Sequence, residues 1–266
     1  MIDVNIKAAA GYPYFINAYP PNASTVAKYA AESVVVSEDL RDVQTICAYH
    51  KVTAVLSISE RMQGGNTLFN SVVTIDADGT ILGVHRKLQP TFAERYVWAQ
   101  GSGFTLKTYQ TVAGYRLGGL ACWEHTMNNA RQALIDQGQH VHVGCWPALS
   151  TMQGFEAVAD VQIEALMKTH ALTAQTFVLC ASNYVDDTCL KWMEENLGPQ
   201  DNVKAGGSEE KLVTAEIHLE DLDLVKVWID ASGHYSRPEV FNLQVDSSKR
   251  WRDEEDVVGP IPYPER

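Results

Sequence analysis

No run of eighteen apolar residues occurs in the 266-residue chain, so no segment has the length of a helix that crosses a bilayer. Basic residues are scarce: 21 Lys and Arg face 33 Asp and Glu, giving a formal net charge of −12 and a pI near 5.1. A surface of that sign repels nucleic-acid backbones and anionic membrane faces, so neither is an expected partner. The first ten residues, MIDVNIKAAA, contain neither a basic region nor a long apolar core, and no signal peptide is read there. Cysteine is sparse and odd in number: Cys47, Cys122, Cys145, Cys180 and Cys189, with no CxxC pair. That is not a disulfide framework, and a reducing cytoplasm is the expected compartment. Gly101-Ser-Gly103 is not part of a GxGxxG and precedes no Lys-Ser/Thr, so it is a loop and not a phosphate cradle. His140 and His142 alternate along one segment, but no third donor stands at a suitable spacing. Neither a metal nor a cofactor is therefore expected. Internal repeats and low-complexity linkers are also missing, so residues 1–266 are read as one domain, with a tail from about residue 232 that wraps a surface or a partner.

What is present has the character of an α/β protein. Hydrophobic residues make up 45% of the chain and charged ones 20%, enough for one sizeable core. Ser37 is placed to cap a helix with Leu40, Val43, Cys47 and His50 along one face. Val52–Ser59 and Leu68–Ile75 have strand composition. The turn Asp76-Ala77-Asp78-Gly79 joins the second to Thr80–Arg86 as a hairpin. Tyr115–Ala121 is a short apolar segment ending at Cys122, and Trp123–Gln137 is predicted as a helix closed by Gly138. His140–Trp146, Thr176–Ser182 and Leu212–Leu219 are predicted strands, with a long helix over Val158–Thr173.

Two clusters can carry chemistry. Cys122 stands between an apolar segment and a predicted helix start, where the helix dipole favours a thiolate and unpaired N–H groups can bind a developing anion. A buried, inert cysteine at a tight turn fits the same position. The second cluster is His85-Arg-Lys-Leu-Gln-Pro-Thr-Phe-Ala-Glu-Arg95, in which Lys87 closes a strand and Glu94 follows Pro90. By itself it reads as a solvated charged segment; a lysine brought beside a thiol would instead stabilise its anion.

That second cluster, Gly119-Leu-Ala-Cys-Trp-Glu-His125 and His142-Val-Gly-Cys-Trp-Pro147 together resemble the nitrilase branch of the carbon–nitrogen hydrolases. Gly65-Asn-Thr-Leu-Phe-Asn70 and Gly233-His-Tyr-Ser-Arg-Pro-Glu239 match the same pattern in the same order. The resemblance implies an α/β fold, a four-layer αββα sandwich. It also implies a Glu-Lys-Glu-Cys site in which Lys87, Glu94 and Cys122 are the lysine, the second glutamate and the nucleophile. Cys122 would attack a nitrile to give a thioimidate and then a thioester, with Lys87 and the Trp123 N–H holding negative charge. Trp123 and Trp146 are read as lining the substrate pocket, with ordinary core packing as the alternative, since aromatics dominate cores. A homo-oligomer, a dimer or a larger spiral, is implied as well. His125 falls on a packing position.

The chain departs from the family at two places. The first glutamate, the family's general base, belongs on a Phe-Pro-Glu segment just before Gly11-Tyr12-Pro13, following an initial strand and helix. Here Asn5-Ile-Lys-Ala-Ala-Ala10 precedes it, with no carboxylate nearer than Asp3. Relatives also carry a strand hairpin where Gly206-Gly-Ser-Glu-Glu-Lys211 runs on directly. The expected sandwich is thus incomplete, and both a truncated or mis-spliced gene and an inactive paralogue account for it. A missing base costs about 10²–10⁴ in rate. A nitrile hydrolase is the first expectation, with a related amide hydrolase and a catalytically impaired or inactive family member as its rivals.

Overall fold

A computed structural model describes residues 23–149, 157–188, 191, 195 and 212–263. Its helices and strands run α1 (Ala23–Glu32), α2 (Val36–Asp39), α3 (Arg41–His50), β1 (Ala54–Arg61), β2 (Leu68–Ile75), β3 (Ile81–Arg86), β4 (Tyr109–Gln110), β5 (Arg116–Ala121), α4 (Asn128–Ile135), β6 (Val141–Trp146), α5 (Ala159–Ala174), β7 (Phe177–Ser182), α6 (Asp221–Lys226) and α7 (Glu254–Val258). The hairpin closes where its turn residues predict. Gly79 takes φ +87°, a conformation open to glycine without a Cβ clash, and donates its N–H to Asp76 O at 2.9 Å.

The strands form two sheets, β1-β2-β3 antiparallel and β4-β5-β6-β7 with a parallel β5-β6-β7 core. Successive residues of a strand point to opposite faces, and β2, buried along its whole length, shows what each face meets. Val73 and Ile75 pack with Val36 of α2, Val43 and Cys47 of α3, and with Leu40 between them. Val72, of the other parity, packs with Leu117 and Ala121 of β5 and Val141, Val143 and Cys145 of β6. On the far side of the second sheet Leu120 meets Ala130, Ala133 and Leu134 of α4, while Trp146 meets Ala159 and Met167 of α5. Helix, sheet, sheet, helix is therefore the layer order, and each fully buried Leu or Val in it contributes roughly 1.5–3 kcal/mol. Gly144 lets α5 come close: a Cβ there would lie 2.5 Å from Met167 Sδ.

Three elements differ from their prediction. Ser37 caps nothing; it lies inside the four-residue α2, whose entry is tied instead by Val35 N–H donating to Asp39 Oδ2 at 2.8 Å. The chain bends at fully buried Leu40 to bring Val36 and Val43 into the same cluster, and this leaves His50 exposed. The helix predicted over Trp123–Gln137 is split. Residues Cys122–Thr126 form a 3₁₀ turn, and α4 begins only after Met127. Leu212–Leu219 is not a strand, because its alternation needs a neighbouring ladder and among the described residues none pairs with it.

The segment after Arg250 returns to the first sheet. Ile261 pairs with Ile81 as an isolated bridge, the Trp251 ring meets Phe69 edge-on at 5.0 Å, and Asp253 grips Arg86 through two hydrogen bonds of 2.9 and 2.7 Å. Arg86 is completely buried and also bonds Glu60, with Phe69 under its guanidinium at 4.0 Å. These carboxylates hold its pKa above the usual value against the pull of burial.

Candidate active site

β3 and β5 belong to different sheets, and the residues that follow each strand meet at the same end of the molecule. Beyond β5 the chain turns sharply: Cys122 has φ +55°, a left-handed conformation that costs a non-glycine residue about 1–2 kcal/mol. The turn is held by Glu124, whose Oε2 accepts the Ala121 N–H at 3.0 Å. Beyond β3, Lys87 is fixed through its backbone, donating to Asn70 O at 2.8 Å and accepting from the Gly101 N–H at 2.9 Å. Its ammonium is buried, donating to Glu94 Oε2 at 2.7 Å and Thr91 Oγ1 at 3.1 Å. Glu94 also accepts the Thr91 N–H at 2.7 Å as part of a capping box on the 3₁₀ turn Phe92–Tyr96, so its carboxylate cannot swing away without exposing two donors.

Glu124 joins the two loops. Besides the Ala121 N–H it accepts the Leu88 N–H at 2.8 Å and faces His85 Nε2 at 3.0 and 3.1 Å. His85 Nδ1 lies 3.1 Å from Thr105 O, so both ring nitrogens face acceptors. Burial pulls the His85 pKa down, but the charge and hydrogen bond of Glu124 more than offset it and the net direction is upward. Burial likewise raises Glu124, and His85 and the two backbone N–H groups bring it below the usual carboxylate value. Sequence reading gave Glu124 and His85 no role. Their position one residue after Cys-Trp and two before Lys87 was the available signal.

The expected thiolate at Cys122 is not favoured. Burial pushes the thiol up to about 11; Lys87 and the Trp123 N–H pull it down, and Glu94 and Glu124 push it up. The helix-dipole expectation fails because a five-residue 3₁₀ turn follows Cys122 where a long helix was predicted, and macrodipole effects need an extended stack of aligned peptides. What remains is a neutral buried thiol with an ammonium and a peptide N–H acting on it, an arrangement that stabilises negative charge once it develops. Trp146 is buried in the same cluster as Cys122, and its ring meets the half-buried Trp123 edge-on at 5.5 Å. Among the described residues no group of three or more His, Cys, Asp and Glu side chains is disposed to hold a metal ion, and no helix is long and apolar enough to cross a membrane. Asp3, Gly11-Tyr12-Pro13, Cys189 and the Gly206–Lys211 junction lie outside the described residues.

The sequence profile of the carbon–nitrogen hydrolases matches residues 6–226. An arylacetonitrilase of Aspergillus niger is 32% identical over 262 residues, covering 90% of this chain and 77% of that protein. An aliphatic nitrilase of Rhodococcus rhodochrous is 33% identical over 260 residues, covering 88% and 69%. Among solved structures, a carbon–nitrogen hydrolase of Helicobacter pylori superposes with a TM-score of 0.66 at 19% identity, covering 86% of this chain and 80% of that one. The Caenorhabditis elegans NitFhit protein superposes with 0.63 at 15% identity, covering 87% and 57%. At such identities the structures speak for the fold, and the nitrilases speak for the family. With the αββα layers and the conjunction of the Lys87 and Cys122 loops already in place, the chain belongs to the nitrilase branch of the carbon–nitrogen hydrolase family, as a nitrilase-type hydrolase.

Proposed function

We propose that this chain converts a nitrile to the carboxylic acid and ammonia, with Cys122 as nucleophile, Lys87 and Glu94 as its catalytic partners, and Trp123 and Trp146 lining the substrate pocket. One observation carries the reading. A buried cysteine held at φ +55° feels the charge of a lysine that is itself locked by a carboxylate at 2.7 Å. The sulfur adds to the nitrile carbon while the thiol proton passes to the nitrile nitrogen, giving a thioimidate. One water adds to that carbon, the C–N bond breaks and ammonia leaves, so a thioester remains. A second water cleaves the C–S bond, releasing the acid and restoring the thiol. Lys87 and the Trp123 N–H stabilise the charge that each addition places on nitrogen or oxygen. Glu94 holds Lys87 in place and assists proton transfer. Nitrilases acting on arylacetonitriles and on aliphatic nitriles are both among the relatives, so the substrate class is a nitrile without a choice between the two.

The test is mass spectrometry of the chain after incubation with a panel of aryl and aliphatic nitriles and their amides, with ammonia assayed in parallel. An adduct on Cys122 that disappears in Cys122→Ala and accompanies ammonia release supports the proposal. Turnover of amides with nitriles untouched would replace it with an amide hydrolase. A specific observation favours an impaired enzyme as the second reading. Both glutamates acting on the buried thiol, Glu94 and Glu124, are already engaged by hydrogen bonds, and burial pushes that thiol up to about 11. A folded chain that forms no adduct would establish that reading instead.

The single domain and the oligomer are part of the same proposal. The return of residues 251–263 onto the first sheet supports the first. Exposed Leu224, Val227, Trp228 and Phe241 support the second, and light scattering of the purified chain tests it.

A further inference from the structure

Behind Cys122 lies a row of three buried imidazoles that the mechanism above does not use. His125 Nδ1 is 2.7 Å from the backbone O of Cys122, and His125 Nε2 is 2.9 Å from His142 Nε2. The Gln139 side-chain amide lies between the next pair, 3.2 Å from His142 Nδ1 and 2.5 Å from His170 Nε2. Elements far apart in sequence supply the row: the 3₁₀ turn after β5, strand β6, and helix α5.

The protons on this row can be counted. A carbonyl oxygen only accepts, so His125 Nδ1 must carry a hydrogen. In a neutral ring His125 Nε2 is then an acceptor, and the proton between the two Nε2 atoms belongs to His142. That leaves His142 Nδ1 bare, so the Gln139 amide turns its NH₂ towards it and its oxygen towards His170 Nε2–H; the two orientations of an amide are interchangeable by a half turn. The opposite amide orientation would place an extra proton, and a positive charge, on the His125–His142 pair. Burial opposes that charge in His125, His142 and His170 alike, as do Arg131 and Lys87 beside His125, and it outweighs the hydrogen bond to the Cys122 carbonyl and the charge of Glu124, which draw His125 the other way. The row is therefore neutral and His125 is confined to its Nδ1–H tautomer. Trp146 stacks on the His125 ring at 5.2 Å and 19°, which blocks a ring flip.

We infer that His125 is a positioning residue for the reaction at Cys122: by donating Nδ1–H to the Cys122 carbonyl it fixes the Cys122–Trp123 peptide so that the Trp123 N–H faces the sulfur. This rests on the nucleophile assignment above and adds to it a reason for the strained turn. The peptide accepts a hydrogen bond at its carbonyl and donates from its N–H towards the sulfur, and each bond of such a chain strengthens the next. The imidazole thus adds a restraint on the carbonyl side of the left-handed Cys122 to the one that Glu124 places on the Ala121 side.

The experiment compares His125→Asn, whose amide N–H can stand where Nδ1–H stood, with His125→Leu, which fills space and donates nothing. Nitrile turnover should fall about 10–100-fold in kcat for His125→Leu with KM changed less than about twofold, while His125→Asn stays within about threefold of the native chain. Equal losses in two folded variants, or no loss in either, would overturn the inference. Alkylation of Cys122 by iodoacetamide, followed by peptide mass spectrometry across pH, needs no turnover. Its midpoint should rise in His125→Leu and not in His125→Asn, and an unmoved midpoint in the folded leucine variant counts against the inference. If the native chain hydrolyses no nitrile, the functional reading fails while the alkylation comparison still decides this one. If His125→Leu does not fold, His142→Leu serves in its place. It releases the tautomer of His125 and should raise the midpoint in the same direction; an unchanged midpoint there is equally fatal.

Discussion

The protonation state of Cys122 is the most exposed consequence of the structure. Its thiol stands at about 11 where an ordinary cysteine stands at 9.0. At pH 8 the thiolate fraction is then about 10⁻³ against about 10⁻¹ for a free thiol, roughly a hundredfold difference. Substituting Lys87 by Met removes the cationic side chain that opposes burial there, so the thiol should rise further. The assay is the iodoacetamide reaction rate at Cys122 between pH 7 and 11, read on the tryptic peptide. The midpoint carries the test and the absolute rate does not, since access to a buried sulfur slows the reaction at every pH. In the native chain the rate should still be climbing at pH 10, and in Lys87→Met the climb should begin later. An inflection below about pH 9 in the native chain, or a midpoint that falls when Lys87 is removed, would refute the account. The consequence for mechanism is that the proton must leave sulfur during attack, not before it. In the proposed reaction it passes to the nitrile nitrogen as the sulfur adds, while Glu94 and Glu124 keep the hydrogen bonds that hold the two loops.

Removing Arg86 should be severe: Arg86→Met strands Glu60 and Asp253 as buried carboxylates, and a loss of about 3–5 kcal/mol is expected in urea unfolding; a loss under about 1 kcal/mol would mean that water reaches the cluster. Stability should fall as pH drops below 6.5, because His125 (about 4), His170 (about 3) and His142 stay neutral in the fold while the unfolded chain takes up their protons. Each contributes up to about 1.4 kcal/mol per pH unit until its folded-state pKa is reached. His85 acts in the opposite sense above 6.5 and Glu124 adds to the loss below 4.5; thermal melting from pH 8 to 4 checks the sign, and a flat profile would contradict a neutral row. Leu134→Ala, at a fully buried position between α4 and the second sheet, should cost about 2–5 kcal/mol while leaving the Cys122 alkylation midpoint in place.

Much of this was legible in the sequence, and the reasons are local. The Asp-Ala-Asp-Gly turn has chemistry that works in isolation, so the hairpin and the Leu68–Ile75 strand fall where composition puts them. The lysine and cysteine loops were readable as separate motifs. Their relation was not, because Glu124 and His85 are 39 residues apart and meet only after two sheets have packed. The helix predicted from Trp123 illustrates the converse. Its residues have helical propensity, but Glu124 and His125 turn their side chains back to the Ala121 N–H and the Cys122 carbonyl. A turn that serves those bonds cannot also extend into α4. Propensity lost there to tertiary demand, and the break at Met127 is the trace of it.

The same competition explains why one carboxylate matters more than its burial suggests. Glu124 accepts a backbone N–H from the loop that carries Lys87 and another from the turn that carries Cys122, and His85 Nε2 faces the same carboxylate at 3.0 Å, so that it is not left unpaired in the interior. Displacing either loop would leave a buried N–H unpaired, at about 1–3 kcal/mol. The ammonium and the sulfur therefore cannot drift apart independently; their relative position is set by a group bonded to the backbone of both loops. Reaction geometry is sensitive to displacements of an ångström, and a shared anchor of this kind is how a fold assembled from two separate sheets can hold such a distance.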